Sequence, residues 1–242
     1  GSTPVQAGEG TVAEDDIVHA VRNARGYSLP PDNQVLHYLD RRYVIDGMRE
    51  AANPVGLVGS RLDADVHVIY GQHNRIETSC RLVADVMGYP PTDIAFSGVA
   101  AGMAVLGLGE NGTGTLLIDI GAGVTEYVLF HGPGCFHSGQ IAVGCDHVAN
   151  DMSIGLKLPI GTCRKILQDF AEYGSAVMTP DGRQRLVEVQ TSTNQSLQIP
   201  TSTIERVLEL RLRELFHLIR DDLKYHQALD RIGGRILLCG GG

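Results

Sequence analysis

The residues best suited to chemistry sit in one short stretch, Asp119-Ile120-Gly121-Ala122-Gly123-Val124. A carboxylate at the end of an apolar run can hold a hydrated divalent cation such as Mg2+. Two glycines close behind it let backbone N–H groups approach a phosphate with no Cβ in the way. Asp119 is therefore the candidate metal ligand, and Gly121, Ala122, Gly123 and Val124 are the candidate phosphate-binding backbone. A plain glycine-containing β-turn would look the same in isolation, so the surrounding elements decide what it is worth.

Leu116, Leu117, Ile118 and Ile120 form an almost continuous apolar run, the pattern of a strand buried on both faces. Thr125 to Phe130 reads as a second strand, so the turn closes a hairpin and does not lead from strand to helix as a P-loop does. Cys135 to Val143 reads as a third strand, and Asp146 to Gly155 as a helix opened by Gly144. Further on, Ile204 to Tyr225 is predicted as a long amphipathic helix with Ser202 and Glu205 as its capping box. Ile204, Val207, Leu208, Leu212, Leu215, Ile219 and Leu223 make its apolar stripe, and Arg211 and Glu214 lie at the stripe's edge, facing solvent.

Upstream, residues 1 to 10 are expected to fray. Thr11 and Glu14 predict a capping box for a helix that carries Ile17, Ala20, Val21 and Ala24 on one face and closes at Gly26. Three extended segments follow, Gln34 to Leu39, Arg42 to Asp46 and Arg61 to Tyr70. The last alternates between an apolar face and a wet face of Arg61, Asp63, Asp65 and His67. A second helix from Asn74 to Met87 should turn Ile76, Cys80, Val83 and Met87 inward. Residues 11–95 thus read as a small α+β module, and 96–242 as an α/β half.

Composition narrows the function classes. A chain of 242 residues is long enough for one large or two ordinary domains, and its net charge of −8 argues against a nucleic-acid partner. No apolar run approaches the roughly twenty residues of a membrane span. Five cysteines without C-x-x-C spacing predict free, mostly buried thiols in a reducing cytoplasm. The nine histidines show no metal-ligand spacing.

A resemblance ties these segments together. Asn53-Pro54-Val55-Gly56-Leu57-Val58-Gly59-Ser60-Arg61-Leu62, preceded by Tyr43-Val44-Ile45-Asp46, resembles the inserted 1C (SHS2-like) subdomain of the bacterial cell-division FtsA family, within the actin-like ATPase superfamily. Ser97 to Leu106 resembles the helix that links the two halves of that fold, and Asp119 to Glu126 its second phosphate hairpin. Glu172 to Val177 and Leu186 to Val189 resemble subdomain 2B, and Arg235 to Gly242 the adenosine-binding strand and loop.

The resemblance implies an α/β, actin-like fold that binds ATP and Mg2+, with Gly144, Gly240, Gly241 and Gly242 added to the nucleotide contacts. It implies self-association into filaments through 1C and 2B, and a location in the cytoplasm, peripheral on the inner membrane at the division site, held there by a C-terminal segment. It further implies docking of the C-terminal tail of the tubulin-like FtsZ on Arg211 and Glu214, which hold the family's R-x-x-E spacing. The 1C-like module is expected to be joined to the rest only through the linking helix.

The chain also departs from the family pattern. Val124 stands where a hydroxyl is usual, and Arg164 and Leu167 stand at positions that in the family face the nucleoside. The family's first phosphate loop has no counterpart in these 242 residues, so this chain alone is expected to bind ATP weakly or not at all. A PilM-like adaptor of type IV pilus assembly, a sugar kinase and a degenerate actin-like module are the alternatives. No Asp besides Asp119 is placed as a catalytic base, so the activity expected is at most a weak ATPase.

Overall fold

The structure is a computed structural model that describes residues 1–5, 10–26, 28–106, 114–132, 134–173, 185–190 and 196–241. By internal contacts the chain divides into two units. The first comprises Gly1–Ile118, Glu126–Gly139 and Gln227–Leu238, and the second Asp119–Thr125, Gln140–His226 and Cys239–Gly242. This division runs through the hairpin at residues 119–126, whereas the sequence placed its boundary after residue 95.

The first unit opens with β1 (Ser2–Pro4), which pairs antiparallel with β4 (Arg61–Gln72). This corrects the expectation of a frayed start for residues 1–5, which backbone partners on β4 and at Ser60 hold, while residues 6–9 lie outside the described residues. Helix α1 (Glu14–Arg25) begins later than the capping box predicts. Thr11 is drawn into a bridge with Val58, and the Ala13 N–H donates instead to the carboxylate of Asp16 at 3.0 Å. Acids in its first turn and arginines in its last suit the helix dipole.

β2 (Asn33–Ile45) is one strand where two were expected, because register shifts at Val35/His37 and Asp40/Arg42 break the alternation without breaking the pairing with β4. With β3 (Arg49–Ala51) the sheet order is β1-β4-β2-β3. Val12, Ala20, Val21, Tyr43, Ile45, Leu62 and Ala64 form its core with α1. Helix α2 (His73–Met87) runs as predicted but buries no residue, and Val83 and Met87 are exposed, against expectation.

Helix α3 (Ser97–Val105) lies against a second sheet of β10 (Arg235–Cys239), β5 (Thr115–Ile120), β6 (Thr125–His131) and β7 (Gly134–Ile141), in that order. Leu116, Leu117 and Ile118, with Tyr127, Val128, Leu129 and Phe130, are all buried, as a continuous apolar run demands. The small residues of α3 permit close approach. A Cβ on Gly102 would stand 2.1 Å from the Phe130 ring, and one on Gly98 would stand 2.8 Å from Val128. Because Phe130 is itself buried and cannot yield, Gly102→Ala is expected to cost about 1–3 kcal/mol, read as a fall in the urea midpoint. A midpoint equal to wild type would show that the ring has room to move.

The module is not joined to this sheet through α3 alone, as the sequence suggested. His67 Nε2 and Ser138 Oγ are hydrogen-bonded at 2.8 Å, so the supposedly wet face of β4 is partly covered. The Arg41 guanidinium stacks 3.9 Å from the Phe136 ring centre, and Arg231 forms a two-pronged pair with Glu50 at 3.1 and 3.2 Å. That pair holds the Glu50 carboxyl below its usual range. These contacts join residues far apart in sequence, which no local pattern reveals.

In the second unit, α4 (Cys145–Leu156), α5 (Ile160–Tyr173), the antiparallel pair β8 (Leu186–Gln190) and β9 (Ser196–Pro200), and α6 (Thr201–Tyr225) surround one core. It contains Val148, Ala149, Met152, Leu158, Cys163, Ile166, Val189, Ile199 and Ile204. Helix α6 starts before the predicted Ser202 capping box, since the Thr201 N–H and hydroxyl both donate to the Arg185 carbonyl, at 3.0 and 3.2 Å. Its predicted stripe is inward, with Ile204, Leu215, Ile219 and Leu223 buried. Of the segment Glu172–Val177, residues 174–177 lie outside the described residues.

Candidate functional site

The turn after β5 is closed by the Gly121 N–H donating to the Val124 carbonyl at 3.0 Å. The start of α4 is fastened to it. The Cys145 N–H donates to the Gly121 carbonyl at 3.1 Å and the Asp146 N–H to the Ala122 carbonyl at 2.8 Å, while Thr125 Oγ1 donates to the Val143 carbonyl at 2.8 Å. The carbonyls of the turn are thereby used from the α4 side. The N–H groups of Ala122 and Gly123 make no hydrogen bond among the described residues, and a Cβ on Gly123 would meet nothing within 4 Å. This is the arrangement a phosphate needs: free donors on an open surface.

Gly144 and Gly240 close on the same place. A Cβ on Gly144 would lie 2.3 Å from the Gly121 carbonyl oxygen and 2.5 Å from that of Ala122. Gly240 has φ of +111°, a conformation few other residues adopt, and a Cβ there would lie 2.2 Å from the Ile120 oxygen and 2.7 Å from Asp119 Oδ1. Thus Asp119, Gly121, Ala122, Gly123, Val124, Gly144 and Gly240, dispersed over more than a hundred positions of sequence, meet within the second unit. Gly241 has open space around it, and Gly242 lies outside the described residues. The Val124 side chain is exposed, so the missing hydroxyl would have faced outward.

The donor set fits a phosphate beside a hydrated divalent cation, with Asp119 half-buried as the one carboxylate at the end of β5. Burial and then the charge of Asp119 push the Cys239 thiol up, and burial with Asp146 does the same for Cys145, so neither is an activated nucleophile. All five cysteines are free, but only Cys135 and Cys163 are buried, where mostly buried thiols were expected. Burial pushes Cys135 up to about 12.

Two residues near the turn escaped the sequence reading. His147 Nδ1 accepts the Gly144 N–H at 3.1 Å, and Asp146 holds Arg164 through two bonds of 2.8 and 3.1 Å. Arg164 is thus tied to the residue that braces Ala122, and Leu167 is packed against the core of the unit. The His147 bond had a local signal, a polar side chain three residues into a helix opened by glycine. The Arg164 pair had none.

Arg211 and Glu214 are together on α6, bonded at 2.8 Å. The expected solvent-facing Arg211 is instead a forked clamp: Nε and Nη2 each donate to the Asp151 carboxylate of α4 at 2.8 Å. Its side chain is 23 % exposed, against 58 % for Glu214. The helix rotation was legible from the stripe, but the acid on α4 was not. Among the described residues no helix is long and apolar enough to cross a membrane.

Comparison with known proteins accords with this architecture. A family model described as the SHS2 domain inserted in FtsA matches residues 1–70, and one described as cell division protein FtsA matches residues 116–237. The FtsA of Pseudomonas aeruginosa is 29 % identical over 227 residues, 93 % of this chain and 54 % of its own length. That of Neisseria meningitidis serogroup B is 27 % identical over 98 % of this chain and 57 % of its own. The chain therefore spans about half the length of the curated relatives it matches. Among solved structures, MreB5 of Spiroplasma citri bound to AMPPNP superposes with a TM-score of 0.53 at 19 % identity, covering 69 % of this chain and 53 % of that one. The PilM–PilN type IV pilus biogenesis complex gives 0.55 at 14 % identity, over 100 % of this chain and 58 % of that one. These likenesses carry the α/β actin-like fold alone. With residues 1–70 and 116–237 each matched by an FtsA model, the second over half of the chain and spanning nearly all of the β10-β5-β6-β7 sheet, the chain belongs to the FtsA family of cell-division proteins.

Proposed function

We propose that this chain is the nucleotide-binding and partner-docking part of an actin-like cell-division protein that binds ATP with Mg2+, assembles into filaments and tethers FtsZ to the inner membrane. The observation that carries this reading is the convergence of Asp119, the 121–124 turn, Gly144 and Gly240, with the Ala122 and Gly123 N–H groups free. Those backbone groups would hold the phosphates, and Asp119 the hydrated Mg2+. The bound nucleotide would supply a ligand-dependent conformational state, and no residue is assigned as a catalytic base.

Arg211 and Glu214 remain the proposed contact for an FtsZ tail, with Glu214 as the exposed member and Asp151 as the acid such a tail would displace from Arg211. Filament contacts are proposed for the 11–95 module and the 2B-like elements β8, β9 and α6. Membrane attachment is proposed through a C-terminal segment.

A calorimetric titration of ATP·Mg2+ into the protein at the length of its relatives tests the reading. Gly123→Val is expected to weaken binding at least about tenfold, 1.4 kcal/mol, and to leave the denaturation midpoint in place, because its Cβ meets open space. Equal affinities for both proteins would remove the turn as the phosphate site. The PilM-like reading draws on the structural match over the whole chain, and a pull-down with an FtsZ tail peptide separates it from the first.

A further inference from the structure

The groove between α1 and β2 in the first unit is independent of the nucleotide site. It encloses about 350 Å3 and is lined by Ile17, Val18, Val21, Arg22, Arg25 and Asp40. That volume falls at the small end of ligand sites, roughly 300–1,000 Å3. Its wall is aliphatic, with Val21 buried and Val18 left 53 % exposed. Val18, Arg22 and Arg25 follow one another at i, i+4 and i+7 and so share a face of α1.

The two arginines of this face have no acidic partner among the described residues. Arg25 sits with its guanidinium 5.1 Å from the centre of the Tyr38 ring, and Arg22 makes no ion pair or hydrogen bond among the described residues. Asp40, the acid of the lining, accepts the Tyr43 hydroxyl at 2.8 Å. In a chain with 28 acids against 20 basic residues, two arginines against one acid leave the lining of this groove with a net positive charge. Compensation of the helix dipole accounts for arginines in a last turn, but it asks nothing of an exposed valine one turn upstream or of a groove beside it.

We propose that this groove docks a short acidic and aliphatic peptide segment of a partner protein. The aliphatic side chains cover Val18 and Ile17, and two carboxylates reach Arg22 and Arg25, which as i,i+3 neighbours stand about 5–6 Å apart at Cβ. Carboxylates one helical turn apart on the peptide match that spacing, the helix-in-groove mode. An anionic bilayer fits less well, because Asp40 lines the groove and Glu14 and Asp15 are exposed at the other end of the same helix.

Fluorescence anisotropy with a labelled Glu-Leu-Leu-Asp-Glu-Leu-Leu-Asp peptide tests the assignment, with the amide counterpart Gln-Leu-Leu-Asn-Gln-Leu-Leu-Asn as control. The acidic peptide is expected to bind saturably, and the amide peptide at least tenfold more weakly. Arg22→Glu should lose at least tenfold with only a small fall in the thermal melt, since Arg22 has no ion-pair partner among the described residues and forfeits only its interaction with the helix dipole. Val18→Asn, at an exposed position, should weaken binding as well and serves as the second variant if Arg22→Glu perturbs the fold. Absence of saturation up to millimolar protein, equal binding of the two peptides, or indifference to both substitutions overturns the proposal. Tighter Arg22-dependent binding to phosphatidylglycerol vesicles than to the peptide also overturns it, in favour of a lipid surface.

Discussion

Gly144→Ala is expected to unseat the phosphate turn and with it the start of α4. The added Cβ would stand 2.3 and 2.5 Å from two backbone carbonyl oxygens, those of Gly121 and Ala122, and backbone cannot swing aside as a side-chain tip can. Relief requires breaking the bonds from the Cys145 and Asp146 N–H groups to those same oxygens. Two hydrogen bonds at about 1 kcal/mol each, together with an overpacking cost of about 1–3 kcal/mol, give a loss on the order of 3–5 kcal/mol. That is a large share of a domain's stability. The urea midpoint should fall sharply and the proposed ATP binding should be lost with it, whereas Gly123→Val should weaken that binding and leave the midpoint in place. A Gly144→Ala protein with the wild-type midpoint would mean that the turn and α4 are not fastened as described.

Arg211→Glu is expected to destabilise the second unit by about 2–4 kcal/mol, contrary to the small effect a free rim charge would have. The substitution removes a two-pronged bond to Asp151, in which both side chains are less than a third exposed, and it leaves three carboxylates, at 151, 211 and 214, in one place. The control is Glu214→Ala. This residue is more than half exposed and pairs at i,i+3, so it should cost only about 0.2–0.5 kcal/mol. A reciprocal exchange, Arg211→Asp with Asp151→Arg, should recover part of the loss, and the double-mutant cycle built from these proteins gives the coupling between α4 and α6. If Arg211→Glu melts like wild type, the clamp is not formed in solution and the residue is the open anchor that its stripe position suggested. Because Asp151 occupies the guanidinium, any acidic tail that docks on Arg211 must compete with an intramolecular carboxylate. Asp151→Asn should therefore raise tail affinity while lowering stability.

What the sequence determined on its own is what rests on period and on local backbone chemistry. The buried run Leu116–Ile120, the strand after it and the inward stripe of α6 are visible because burial on both faces and burial on one helical face leave different periods in the chain. The glycine turn after β5 is legible for a similar reason, since closely spaced glycines after a buried strand mark a tight backbone turn. Resemblance extended this to the family and the fold, because ordered motifs over most of the chain are improbable together by chance.

The tertiary structure decided everything that joins distant residues through a single contact. β1 is a strand because β4 offers it backbone partners and Asn23 of α1 donates to its Ser2 carbonyl, and the continuous β2 survives two register shifts that erase its alternation. α2 carries the periodicity of a packed helix, yet Val83 and Met87 are exposed, since an apolar stripe states what a helix could bury and not what lies opposite it. Asp151 reaches Arg211 across 60 positions, and Asp146 reaches Arg164 across 18, with no trace in local pattern. An ion pair needs only two side chains of opposite charge brought within about 3 Å of each other, a condition met or missed by the packing of helices and invisible in the spacing of residues along either one.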